Sequence, residues 1–89
     1  MNEEQMIAQA ESLGYFLTFD EGKAKYIMPI DRQMYTPEIF GGREMFGEVA
    51  PWTIQTTAYG PLASSEIDKV IQGYMRAQLM VSYLQAWGF

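Results

Sequence analysis

Residues 65–89 read SEIDKVIQGYMRAQLMVSYLQAWGF, and the period of their apolar positions decides the architecture. Ile67, Val70, Tyr74, Ala77, Val81 and Leu84 recur at intervals of three and four, the spacing of one helical face. Ser65 with Asp68 three residues on makes a capping-box-like start, and Glu66 adds first-turn charge. At the far end Gly88 supplies a left-handed cap, and Phe89 falls where a Schellman motif sets an apolar residue against the last turn, near Leu84. The pattern predicts a helix over about 66–87. At 1.5 Å per residue it is ~33 Å long, whereas a compact chain of 89 residues has a radius of gyration of roughly 12 Å. The helix therefore spans the whole domain, and the other elements must be laid along it.

Its second half carries more apolar surface than one face can hide. From Leu79 to Trp87 only Ser82 and Gln85 are polar, and a helix that is apolar on nearly all sides must be covered on nearly all sides. Either the aromatic middle of the chain wraps over this end, or Met80, Tyr83, Leu84 and Trp87 form a homodimer seam or a partner-binding patch.

Working back from the helix, Asn2 followed by Glu3, Glu4 and Gln5 reads as a cap, first-turn acids and a capping-box partner ahead of Met6, Ile7, Ala10 and Leu13. This predicts a helix over about 3–13, stopped by Gly14. The period then changes to two. Tyr15, Leu17 and Phe19 alternate with Phe16, Thr18 and Asp20, and after Glu21 and Gly22 the alternation resumes through Ala24, Tyr26, Met28 and Ile30, a β-hairpin over about 15–30. A two-residue turn sets Phe19 opposite Ala24, Leu17 opposite Tyr26 and Tyr15 opposite Met28, all on one apolar face. Residues 31–51 are irregular, broken by Pro37, Gly41, Gly42 and Gly47. Within them Thr36, Pro37 and Glu38 have the cap, first-position proline and acid of a short helix stopped by the glycine pair. Residues 52–59, rich in Thr and aromatics, read as a short third strand. The expected fold is a single α+β domain over residues 1–89 in the order α-β-β-(irregular or short helix)-β-α. Its antiparallel three-stranded sheet packs against the long C-terminal helix.

Composition narrows the chemistry. With no cysteine and no histidine, disulfides, thiolate nucleophiles, imidazole bases and nearly every zinc or haem ligand set are excluded. Carboxylate pairs such as Glu44 with Glu48, or Glu66 with Asp68, are explained by exposure and capping; a catalytic pair needs one member desolvated. No cluster of acids has the loop spacing of a calcium cage. The sequence therefore predicts neither a catalytic site nor a cofactor. Gly41, Gly42 and Arg43 lack the Lys-Ser/Thr ending of a P-loop, which leaves a small anion site on Arg43 and Arg32 as a minor reading.

Eleven acids against six bases give a net charge of −5, which argues against direct binding to nucleic acid. Five of the acids, Glu3, Glu4, Glu11, Asp20 and Glu21, precede the first base, Lys23. The opening residues carry no apolar stretch of signal-peptide length and no apolar run approaches the ~20 residues of a membrane span, so the expected compartment is the cytoplasm.

These features favour a non-enzymatic protein-binding module, an inhibitor or adaptor whose aromatic and Met-rich patch is flanked by acids. Tyr35, Phe40, Arg43, Phe46 and Trp52 are the candidate anchors, and Glu3, Glu4, Glu11 and Asp20 are the acids that would enter the basic groove of a nucleic-acid-processing enzyme. The alternative is a homo-oligomeric accessory or assembly subunit sealed by the C-terminal helix. In size, acidity and lack of catalytic chemistry the chain resembles the small proteins that phages and mobile elements encode to block host machinery, including anti-CRISPR-type inhibitors. That resemblance implies a protein target in the host cytoplasm and assigns no residue.

Overall fold

The structure, a computed structural model, describes residues 1–30, 35–42, 44–45, 48–49 and 51–89. The fold is α+β: an N-terminal helix, short antiparallel strands and a long C-terminal helix. Helix α1 (Glu3–Ser12) starts with the capping box expected from its sequence. The Gln5 N–H donates to Asn2 Oδ1 at 2.8 Å, and the Asn2 N–H donates to Gln5 Oε1 at 2.9 Å. Two of the orphan donors at a helix start are thereby satisfied.

Strands β1 (Tyr15–Asp20) and β2 (Lys23–Pro29) form the hairpin. Glu21 and Gly22 both take positive φ, 52° and 75°, the type I′ turn whose twist matches the flanking strands. The expected register holds only next to the turn, where Asp20 faces Lys23 and Phe19 faces Ala24. Between Thr18 and Phe19 the register shifts, as happens when a β-bulge gives one strand an extra residue. Leu17 consequently faces Ile27, Tyr15 faces Pro29, and Phe16 faces Met28. A shift of one residue reverses the faces of a strand. Pro29 is buried, whereas Met28, expected in the core, is 45 % exposed beside Phe16 at 51 %.

The third strand does not join this sheet. Strand β3 (Ile39–Phe40) pairs instead with β6 (Thr53–Ile54), and β4 (Glu44–Met45) pairs with β5 (Glu48–Val49), so the described strands form three separate two-stranded ladders. The short helix expected at Thr36–Pro37–Glu38 does not form; these residues are irregular chain leading into β3. Four residues ahead of a glycine pair cannot repay helix nucleation. Here the Pro37 carbonyl accepts from the buried Tyr15 hydroxyl at 2.7 Å, and the Glu38 carbonyl accepts from the Gln55 N–H at 2.9 Å.

Helix α2 (Ser64–Ala86) begins two residues before its expected start. Its N-cap is Ala63, which has no side-chain acceptor; Glu66 at the third position reaches back to the Ala63 N–H. The C-terminus is the expected Schellman motif: the Phe89 N–H donates to the Leu84 carbonyl and the Gly88 N–H to that of Gln85. The core joins Ala10 and Leu13 of α1, Tyr15 and Leu17 of β1, Ile39 of β3, and Ala77, Met80 and Leu84 of α2. The chain measures 43 × 30 × 18 Å with a radius of gyration of 13.9 Å, wider than the ~12 Å of a compact domain of this length. Eighteen ångströms holds a helix layer over a strand layer and no third.

Candidate functional site

Two surface features stand out, a cleft lined by the 35–38 and 55–59 segments and an apolar ridge on the outer side of α2. The cleft, about 470 Å³, opens where the β3–β6 ladder ends at Glu38 and Gln55 and the two chains diverge. Tyr35, Thr36 and Glu38 line one wall, and Gln55, Thr57 and Tyr59 the other. The first wall is stapled to α2 at three points. The Tyr35 hydroxyl donates to Glu66 Oε2 at 2.7 Å, and Arg76 donates to Thr36 Oγ1 at 3.3 Å. The Tyr35 carbonyl lies so close to Gly73 that a Cβ there would collide with it. The second wall is tied by the Thr57 N–H, which donates to the Tyr74 hydroxyl at 3.1 Å. Across the cleft the Tyr35 and Tyr59 rings meet edge to face, centroids 5.4 Å apart at 76°. Tyr35 holds φ at 54°, a left-handed conformation that costs a non-glycine residue roughly 1–3 kcal/mol.

The Tyr35 bond holds the Glu66 carboxyl below its usual range, helped by the Ala63 N–H and Lys69 against the opposing effect of desolvation. The same bond, with desolvation and the negative charge of Glu66, pushes the Tyr35 phenol up. A lowered acid stabilises the fold above its unfolded-state pKa and loses that contribution as pH falls through its folded value. A raised phenol stabilises below about 10 and loses its contribution as pH rises through its folded value. The urea midpoint of the wild type should therefore fall further than that of Glu66→Gln on acidification from pH 6 to 3, and further than that of Tyr35→Phe above pH 10. Constant differences at both ends would remove the bond from the account. Burial pushes the Tyr15 phenol well above its usual range, with Arg76 opposing, so this hydroxyl stays protonated and keeps donating to Pro37.

The ridge was not among the residues singled out by sequence. Ile67, Ile71, Met75 and Leu79 are 46, 52, 62 and 44 % exposed. Spaced by four, they run as one oblique row across the outer face of α2, flanked by the exposed polar residues Asp68, Gln72, Gln78 and Ser82. The face turned to the core is set by Gly73, Ala77, Met80 and Leu84. The three-and-four pattern puts Ile67 on that buried face and leaves out Ile71 and Met75, although their constant interval of four is legible in the sequence.

The residues singled out by sequence separate. Met80 and Leu84 are completely buried within the chain, which corrects their expected place on a homodimer seam. Tyr83 and Trp87 are half-buried and stack on each other, centroids 5.7 Å apart at 18°. Trp52 is no exposed anchor either. Its ring fills the space over Gly42, and its Nε1 donates to the Phe89 main-chain oxygen at 3.0 Å. The hairpin and the last turn of α2 are joined by Phe19 and Phe89, centroids 5.6 Å apart. Phe40 is 51 % exposed on β3. Arg43, Phe46 and Arg32 lie outside the described residues. Glu3, Glu4 and Glu11 are exposed on α1, and Asp20 is exposed at the hairpin tip beside Glu21.

No helix of the described residues is long and apolar enough to cross a membrane. No family model, no curated protein and no solved structure matches the chain.

Proposed function

We propose that the chain is a protein-binding domain without catalytic chemistry of its own, and that it docks on a basic partner protein through the ridge Ile67–Ile71–Met75–Leu79. The observation that carries this reading is four large apolar side chains, each 44–62 % exposed, in one helical row at the spacing by which a helix enters the groove of another protein. A contiguous patch of this kind is the usual mark of an interaction site.

Two arguments favour a different protein over a second copy. Four half-exposed side chains fall short of the ~800 Å² that each partner contributes to a stable interface, so the complement has to supply a groove that also reaches the neighbouring polar surface. Two copies would each bring a net charge of −5, whereas a basic surface is attracted by it, and by Asp68 at the rim of the ridge. An inhibitor or adaptor acting on a nucleic-acid-processing enzyme fits this chemistry, with the exposed acids of α1 and the hairpin tip extending the contact.

Ile71→Glu with Met75→Glu tests the reading. Both positions are exposed, so the double variant should keep its fold within about 0.5 kcal/mol per site. Used as paired baits on one native lysate, the wild type should retain a protein that the variant loses and that moderate salt weakens. Identical captures by the two baits, or a native mass that shows a homodimer at micromolar concentration, would reject it.

A further inference from the structure

We propose that the cleft lined by Tyr35 and Tyr59 binds an ammonium or guanidinium group, seated on a free tyrosine face with the Glu66 carboxylate one hydrogen bond behind Tyr35. Among the described residues the walls carry aromatic rings, hydroxyls, an amide and a carboxylate, and no lysine or arginine. Lys69, which acts on Glu66, and Arg76, which bonds Thr36, are held on the α2 side outside the lining. An aromatic ring attracts cations through the negative potential of its face, and an edge-to-face pair leaves a face of at least one ring free to do so. Tyr35 is the better platform of the two, because its hydroxyl gives a 2.7 Å hydrogen bond to a carboxylate. Such charge-assisted donation moves electron density onto the phenol. The ring is also fixed before any ligand arrives, by that bond, by the left-handed backbone at Tyr35 and by the contact of its carbonyl with Gly73. Preorganisation of this kind lowers the cost of binding.

The volume, about 470 Å³, exceeds that of a small quaternary ammonium ion and suits a long basic side chain with part of its main chain. The ligand favoured is therefore an arginine or lysine of a partner protein. This extends the reading of a basic partner, but its test leaves the ridge untouched, so either claim can fail alone.

The test follows the ring resonances of Tyr35 and Tyr59 during titration with four probes: N-acetyl-arginine amide, its neutral citrulline counterpart, choline, and N-acetyl-glutamate amide. The arginine probe should shift both rings saturably, less so at high salt, while the citrulline and glutamate probes leave them unmoved. Tyr59→Leu should weaken arginine binding about tenfold. Glu66→Gln, which keeps an acceptor for the Tyr35 hydroxyl, should weaken it severalfold. Tighter binding of the arginine probe than of choline assigns the cleft to a protein side chain, and the reverse order assigns it to a free organic cation. Equal shifts from arginine and citrulline, a response to the glutamate probe, or unmoved rings with every cation at about 20 mM in the folded protein would overturn the proposal.

Discussion

Replacing Gly73 by alanine destabilises this protein by at least about 2 kcal/mol, although the same exchange inside an open helix stabilises by up to about 1 kcal/mol. Gly73 is buried in the middle of α2, and a Cβ at that position would run into the carbonyl of Tyr35. Main chain cannot swing aside as the end of a flexible side chain can, so α2 and the 35–38 segment must move apart. Overpacking of this sort typically costs 1–3 kcal/mol. The displacement also strains the Tyr35–Glu66 and Arg76–Thr36 bonds, which depend on the same separation. In a domain of this size the melting temperature should fall by roughly 8 °C or more. Gly60→Ala, where nothing lies within 4 Å of the added Cβ, serves as the control and should change little. An unchanged or raised melting temperature for Gly73→Ala would mean that the Tyr35 carbonyl does not rest on α2.

The largest loss is expected from Leu84→Ala, about 2–5 kcal/mol. Leu84 is completely buried where α2 meets α1, β1 and β3, and its carbonyl also closes the Schellman cap. Marginal stability for small domains begins near 5 kcal/mol, so the variant should be partly unfolded at room temperature by circular dichroism and urea titration. Leu84→Glu separates core from seam. A residue on a homodimer seam would give a folded monomer, whereas one in the core gives an unfolded chain. Met75→Ala, on the exposed side of the same helix, should fall within about 0.5 kcal/mol of the wild type.

Local signals explain what could be read in advance. The α1 capping box, the Glu21–Gly22 turn and the Schellman motif at Gly88 and Phe89 each depend on residues within six positions of one another, and each has the form its sequence implies. What was not legible depends on residues far apart in the chain. The hairpin bulge turned Met28 outward and Ile27 and Pro29 to the partners of Leu17 and Tyr15, a change that alternation alone cannot register because it assumes an unbroken period. The pairing of β3 with β6 sets Ile39 against Ile54 across fourteen intervening residues. Those strands are two residues long, below the length at which a periodic pattern forms. On α2 the sequence pattern counted large apolar residues as the buried face. The core face instead includes Gly73 and Ala77, because the approach of the Tyr35 backbone requires small residues there. That rotation is why Ile71 and Met75 emerge on the surface, and why the surplus of apolar surface sits on the outer row of the helix and not at the expected Met80 and Leu84. Of the cleft, Tyr35 was anticipated as a contact residue, while Tyr59 and the Glu66 carboxylate behind it were joined to Tyr35 only by the fold.

Placing a photo-activatable benzoyl-phenylalanine at Met75 and irradiating the protein in its native lysate addresses the ridge most directly. The expected product is a discrete adduct with a different, basic protein, weakened when Ile71 is also changed to glutamate. Adducts formed solely with a second copy of the chain, or an adduct that forms equally well with the glutamate present, would contradict docking through this row.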